Sequence, residues 1–519
     1  MSGHQAAEDF GDDSGRFPAE QGMRMSEHTP REAALKIIYM LQKHDHVAYL
    51  AGGCVRDRVM GLEPKDHDIA TDAHPERIRE LIPNSQFIGE AFGVVLVRMY
   101  GYVIEVATFR SESGYSDHRH PDHVDFTDAR TDAMRRDFTI NGLFENPFVE
   151  DDEPAVIDFV GGQADINGKV IRAIGQPIER IREDALRMLR AVRFAARLGF
   201  EIEPRTARAI QGVTDELAHI SRERIGQEVK WSLTGPRPVM VVQLIQHLKL
   251  DNPTLLERSF RGETPTVKHL NPNPPYGTAL GAWLIDRHLS ARGESITLLL
   301  ESMRDGRDKK KGKANSEAQE QPRSGGWFSG RSSRASSHRR RSSHRRSAAG
   351  GWFGLADSAS GEAGRVQRLS WSLNRLIGER LNDILHGWRQ ALCLSNDDTE
   401  ALRMSVTLLP GLLEWRSLSV ANRKRLLAQG YWSQAWLLLQ ALRYWPGVST
   451  LIEPIERDSV RYYDEGIAPP PLVTGDALVA LGYVPGPGFG RVLEMVYDAQ
   501  LDGLVTTQEQ ALAWAQRRL

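Results

Sequence analysis

The run Leu50-Ala51-Gly52-Gly53-Cys54-Val55-Arg56-Asp57 is followed shortly by Asp66-His67-Asp68, and together they gather groups that handle phosphate. In an extended strand successive side chains take opposite faces, so Asp66 and Asp68 project together and His67 points away. Two carboxylates on one face repel each other, and a divalent cation removes that cost. Mg²⁺ takes such oxygen ligands and often shares them with substrate phosphates. Gly52 and Gly53 let backbone N–H groups come close to an anion. Arg56 adds a fixed positive charge with planar donors. These parts together could hold a nucleoside triphosphate and run metal-assisted phosphoryl transfer. Taken singly, an Asp-x-Asp is most often a solvated turn and a Gly-Gly an ordinary one. Their order and spacing carry the reading.

Two further runs carry chemistry. Arg135-Arg136-Asp137-Phe138-Thr139-Ile140-Asn141 offers guanidinium groups for phosphate and an Asp and Asn for hydroxyls. The plainer alternative is a charged helix end with Asn as a turn residue. In Glu183-Asp184-Ala185-Leu186-Arg187-Met188-Leu189-Arg190-Ala191-Val192-Arg193-Phe194, a spacing of three places Asp184, Arg187 and Arg190 on one helix face, with Arg193 following. A solvated ladder would mix in lysine and glutamate, whereas this face repeats arginine alone. Arginine donates twice in one plane and ionised Asp only accepts. An Asp–Arg pair can therefore complement the Watson–Crick edges of cytosine and adenine and reject uracil and guanine. Glu105, alternating with Ala107, is either a third carboxylate beside the pair or a brace for Arg56 or Arg110.

These groups need elements to position them. Residues 1–28 read as a disordered tail, and Thr29-Pro30-Arg31-Glu32 as a capping box with proline at the first helical position. Ala34, Ile37, Ile38 and Leu41 follow at helical spacing. A strand near 47–51, a strand bearing Asp66 and Asp68, a helix from His74-Pro75-Glu76 and a hairpin (Val94–Met99 with Val103–Thr108) make an α+β head over 29–175. Asp158-Phe159-Val160-Gly161-Gly162 is a structural turn or a hinge. Beyond it the pattern is helical: a neck over 176–240, a body over 241–304 and 365–457, and a tail over 458–519 with Pro/Gly-rich turns feeding helices. Residues 305–364 are rich in Ser, Arg and His, and bury too little apolar surface to offset their ordering entropy. This disordered basic insertion, with Gly-Gly-Trp-Phe at 325–328 and 350–353, is a solvated loop or an RNA-binding arm with stacking aromatics.

The chain's 519 residues suggest several domains, and its 40% hydrophobic content supports globular folding. A net charge of −2 means that any nucleic-acid surface must come from local clustering. Two cysteines, Cys54 and Cys393, make no disulfide framework, which fits a reducing cytoplasm. The first residues lack the apolar stretch of a signal peptide, and no run of about 18 apolar residues suggests a membrane span. Oligomeric state is not legible.

The Gly-Gly and Asp-x-Asp order resembles the nucleotidyltransferases of the DNA polymerase beta superfamily. More narrowly, the chain resembles the bacterial-type (class II) tRNA CCA-adding enzymes and the bacterial poly(A) polymerases. The resemblance implies a polymerase-beta-like head followed by an all-helical neck, body and tail. It implies Asp66 and Asp68 as catalytic carboxylates holding two Mg²⁺ ions, with Gly53 and Arg56 in the nucleotide site. Arg136 and Asp137, in a run matching RRDFTxN, would contact triphosphate and ribose; Gly142 stands where the family usually has Ala. Asp184 and Arg187, in a run matching EDxxR, would read the base, with Arg190 and Arg193 assisting. The run from His219 to Glu228 resembles the motif that braces this template helix. The stretch 108–121 resembles the flexible loop of CCA-adding and A-adding members, and 88–94 lacks the Gly-Arg-Arg-Phe-like run common in poly(A) polymerases. The implied activity is addition of CCA to the 3′ end of tRNA from CTP and ATP. The alternatives are AMP addition to other RNA 3′ ends, A-only addition, and a non-catalytic RNA-binding protein.

Overall fold

In a computed structural model the described residues are 28–87, 93–114, 123–149, 155–289, 361–484, 486 and 488–518. The tail over 1–27, nearly all of the 305–364 insertion, the run at 88–92 and the loop tip at 115–122 lie outside them. The chain divides into two compact units, the first ending at Gly168 and the second beginning at Lys169.

The first unit opens with α1 (Pro30–Gln42), whose Thr29 and Glu32 form the expected capping box and whose Ala34, Ile37, Ile38 and Leu41 are buried. A seven-stranded mixed sheet follows, in the order β3-β4-β5-β2-β1-β8-β9. Its strands are β1 (Ala48–Ala51), β2 (Ile69–Thr71), β3 (Ser85–Phe87), β4 (Val94–Met99), β5 (Tyr102–Thr108), β8 (Leu143–Glu145) and β9 (Val156–Asp158). β6 (Arg110–Ser113) and β7 (His123–Phe126) pair separately as a hairpin. β2 is central, parallel to β5 with Ile69 opposite Val106 and antiparallel to β1, which is in turn antiparallel to β8. The β4–β5 hairpin turns at Tyr100 and Gly101, both at positive φ, the geometry that matches strand twist. Three short helices flank the strands: α2 (Gly53–Val59), α3 (Pro75–Leu81) and α4 (Ala129–Arg135). The unit closes with α5 (Gly162–Gly168).

The turn into α5 is tightly tied. The Asp158 carboxylate accepts from the backbone N–H of Val160, Gly161, Gly162 and Gln163 at 2.8–3.1 Å. A Cβ on Gly162 would lie 2.2 Å from the Thr139 carbonyl oxygen, so only glycine fits there.

Among its described residues the second unit is helical apart from a two-residue parallel pair, β10 (Val170–Ile171) with β11 (Glu201–Ile202). It begins with α6 (Pro177–Glu183), α7 (Arg187–Leu198), α8 (Pro204–Gly212) and α9 (Arg222–Leu233), continues through Tyr276–His288, and resumes at Glu362. Its C-terminal helices, Gly475–Ala480, Phe489–Leu501 and Gln508–Gln516, share a small core of Leu478, Val492, Val496, Ala511 and Ala515. No helix among the described residues is long and apolar enough to cross a membrane.

Candidate active site

Asp66 and Asp68 do not lie inside a strand. β2 begins at Ile69, and the two carboxylates occupy the extended segment that leads into it. Alternation still holds there: Asp66 and Asp68 are exposed, and His67 between them is buried. Both His67 ring nitrogens lack a hydrogen-bond partner, and burial holds its imidazole below the usual value. One step before the Ile69–Val106 pair, the segment entering β2 brings Asp68 alongside Glu105 of β5. Glu105 is exposed as well. Asp68 is open on one side and walled by protein on the other. Lost hydration, then Glu105, then Asp66 push its carboxyl up to about 6, against the pull of Arg136.

The glycine pair adjoins these carboxylates. The Ala51 N–H donates to the Asp68 carbonyl at 2.9 Å, and Gly52 adopts φ +72°. A Cβ on Gly52 would lie 2.8 Å from Nη1 of Arg136, so the glycine leaves room for that guanidinium. Arg136 sits over the Phe144 ring at 5.0 Å and donates to Asp132 Oδ2 at 2.9 and 3.1 Å. Asp132 is buried; burial alone would raise its pKa, but Arg136 and Arg135 hold it below the usual range. Its other oxygen accepts from Arg135, which also donates to Glu112 of β6. Sequence reasoning passed over Asp132. Its position three and four residues before Arg135 and Arg136 on a helix is the signal that identifies it.

Two expected ligand groups face inward instead. Arg56 is 3% exposed; its Nε and Nη2 donate to Asp57 and its Nη1 to Asn141. Asp137 is buried and accepts from the Phe138 N–H and from Asn141 Nδ2. The first turn of α2 points Arg56 at the 3₁₀ turn Thr139–Asn141, where partners compensate its charge. Gly53 opens α2 and meets only Arg56 Nη2, at 3.7 Å from a built Cβ. Arg110 pairs with Glu112, and Glu105 acts on Asp68. The Cys54 thiol is pushed up to about 11 by burial and then by Asp68, and is not a nucleophile at neutral pH.

In the second unit the expected continuous helix through 183–194 is broken. α6 ends at Glu183, Asp184 is extended, and α7 starts at Arg187. A short carboxylate competes for backbone N–H groups and favours such breaks: Asp184 Oδ1 accepts from the Leu186 N–H at 3.1 Å. Its Oδ2 accepts from Arg224 of α9 at 2.8 Å. Arg187 donates to Glu183 and to the Arg180 carbonyl, both at 2.6 Å. Arg190 and Arg193 reach the buried Glu228 of α9, at 3.7 and 2.6 Å. Arg224 and Glu228 are thus the residues that fix this face. Ser221 occupies the N-cap of α9 without a side-chain cap bond.

Among the described residues, no group of three or more His, Cys, Asp or Glu side chains is arranged to hold a metal ion. Asp66 and Asp68 offer the carboxylate oxygens that a divalent cation takes, and burial followed by the neighbouring carboxylates Glu105 and Asp66 already raises the pKa of Asp68, a cost that such a cation would relieve.

Residues 48–172 match the family described as the poly A polymerase head domain, and 199–257 the one described as the probable RNA and SrmB-binding site of polymerase A. Over these residues the chain is similar to CCA-adding enzymes and poly(A) polymerases. It is 43% identical over 203 residues to the CCA-adding enzyme of Bacillus licheniformis, covering 39% of this chain and 50% of that protein. It is 40% identical over 232 residues to that of Geobacillus thermodenitrificans, covering 44% and 56%. The chain thus spans about half the length of the curated relatives it matches. The fold is similar to the crystal structure of the Bacillus stearothermophilus CCA-adding enzyme in complex with CTP, with a TM-score of 0.61 at 24% identity over 95% of this chain and 98% of that one. It is also similar to the Thermotoga maritima enzyme complexed with tRNA, with a TM-score of 0.55 at 17% identity over 93% of each. The fold is therefore a mixed-sheet head followed by a helical region, as in these solved structures.

Proposed function

We propose that this chain is a template-independent RNA nucleotidyltransferase that adds CCA to the 3′ end of tRNA from CTP and ATP. The observation that carries the reading is the open carboxylate group Asp66, Asp68 and Glu105, set beside Arg136 and the Gly52 turn. Asp66 and Asp68 would hold two Mg²⁺ ions. Bound there, such ions neutralise charge on the triphosphate and on the attacking hydroxyl. Arg136, held by Asp132, binds and orients the triphosphate. Asp184 and Arg187 choose the base, and Arg190 and Arg193 keep positive charge beside it. The RNA 3′-hydroxyl oxygen bonds to the α-phosphorus, the α–β bridging P–O bond breaks, pyrophosphate leaves, and the hydroxyl proton passes to solvent. Catalysis of this kind is positioning plus electrostatics and needs no protein nucleophile.

The curated relatives named above are CCA-adding enzymes, which supports this reading. The description of the matching head family favours poly(A) polymerase as the second reading. The test is purified full-length protein with tRNA lacking its 3′-terminal CCA and each labelled nucleotide in turn. The expected result is addition of C, C and A, then arrest. Long A tails on unstructured RNA, with no use of CTP, would establish the second reading instead.

A further inference from the structure

Trp231 on α9 is 55% exposed, although Trp is the residue with most to gain from burial. Its surroundings are built. The Arg193 guanidinium lies 5.6 Å from the Trp231 ring and 4.4 Å from the Phe194 ring, and is anchored by Nε to the buried Glu228 at 2.6 Å. The indole therefore stands beside a fixed planar cation whose rotamer freedom is already spent.

α7 and α9 run side by side in the same sense. Asp184, just before α7, meets Arg224 near the start of α9, and Arg193 meets Glu228 and Trp231 further along both. Arg224 and Trp231 are seven residues apart and so share a helix face. Seven residues of helix span about 10 Å. That is about three steps of a nucleic-acid strand rising roughly 3.4 Å each. Arg187, Arg190 and Arg193 line α7 between the two ends. An exposed indole at the end of an arginine rail fits an unpaired base on a phosphate-bearing strand, since every base has a face to stack and arginine adds a cation–π contribution.

We infer that Trp231 is a stacking platform for a base of the RNA 3′-terminal strand, about three nucleotides from the incoming one. The inference rests on the nucleotidyltransferase reading above and adds a substrate contact to it.

The experiment uses full-length protein and tRNA lacking its 3′-terminal CCA as the probe, with binding measured across a salt series and KM measured for RNA and for CTP separately. Trp231→Ala should weaken RNA binding about tenfold, within the roughly 5- to 140-fold range of one lost base stack. The KM for RNA should rise with it while the KM for CTP stays. The slope of log affinity against log salt should not change, because a stacking contact releases no counterions. Trp231→Phe should recover RNA affinity to within about threefold of wild type. RNA affinity of Trp231→Ala within about twofold of wild type would overturn the platform, as would a salt slope lowered by about one unit. So would failure of Trp231→Phe to recover affinity at unchanged Tm. Absence of nucleotide incorporation by the wild type would count against the nucleotidyltransferase reading itself, while normal incorporation with unchanged RNA binding in Trp231→Ala would count against the platform alone.

Discussion

Asp66, Asp68 and Glu105 are charges left in the open, whereas Arg56, Asp132 and Asp137 are charges built into the protein and paired there. Open charges are cheap to remove for the fold and costly for the chemistry. Asp66→Ala and Asp68→Ala should therefore keep the wild-type Tm and lose nucleotide incorporation by about 100-fold or more, the scale of removing one preorganised electrostatic contact. Incorporation within about tenfold of wild type in either variant would sink the catalytic assignment. At this scale the sequence spoke clearly where the argument was local: alternation alone separates Asp66 and Asp68 from His67. It said less where the direction of a side chain depends on a distant partner. Arg56 reads as a phosphate donor after a glycine pair, but its Nη1 finds Asn141, 85 residues away.

Among the elements, α9 does the most positioning: it supplies Arg224 and Glu228 to the α7 face and packs by Gly226 against the helix Leu381–Leu392. A Cβ on Gly226 would stand 1.8 Å from the Leu392 carbonyl oxygen, backbone that cannot yield cheaply. Gly226→Ala should thus destabilise the protein by about 1–3 kcal/mol or more through overpacking. Gly387, on that neighbouring helix, has nothing within 4 Å of its built Cβ. Gly387→Ala should stabilise by about 0.5–1 kcal/mol through helix propensity. Thermal or denaturant unfolding of the pair reads both, and equal shifts in the two would contradict the packing argument. The capping box at Thr29 and the turn at Tyr100-Gly101 were legible because short-range bonds decide them. The break at Asp184 was not, because the apolar period runs straight through it and only the carboxylate's bond to the Leu186 N–H and the pull of Arg224 end the helix there.

At the scale of the whole molecule, stability carries a pH dependence from Asp286, which lies in the second unit. This carboxylate is 2% exposed and accepts from the N–H groups of Thr266 and Val267, both at 3.0 Å. Burial outweighs those bonds and raises its pKa from 3.8 to about 7. Between those values the folded state holds a proton that the unfolded chain has released. Stability from this group is therefore complete below about pH 4, falls as pH rises, and levels off above about pH 7. Asp286→Asn should remove that slope. The check is the difference in unfolding free energy between wild type and variant across pH 4 to 7. A constant difference would mean that Asp286 ionises normally.

The sequence by itself determined which residues could do chemistry and the elements that local bonding fixes: the carboxylate pair, the glycine turn, the arginine-repeating face, the head strands and the helical remainder. Those follow from period, capping and residue type, which act within a few positions of the chain. Tertiary structure decided which charges stay open. Parallel pairing of β2 with β5 sets Glu105 beside Asp68, a glycine at 52 leaves Arg136 its place, and a buried Glu228 holds Arg193 against Trp231. Each of these depends on partners separated by tens of residues. Burial and pairing across such distances, rather than residue type, determine whether a charged side chain is available to a ligand or consumed by the fold.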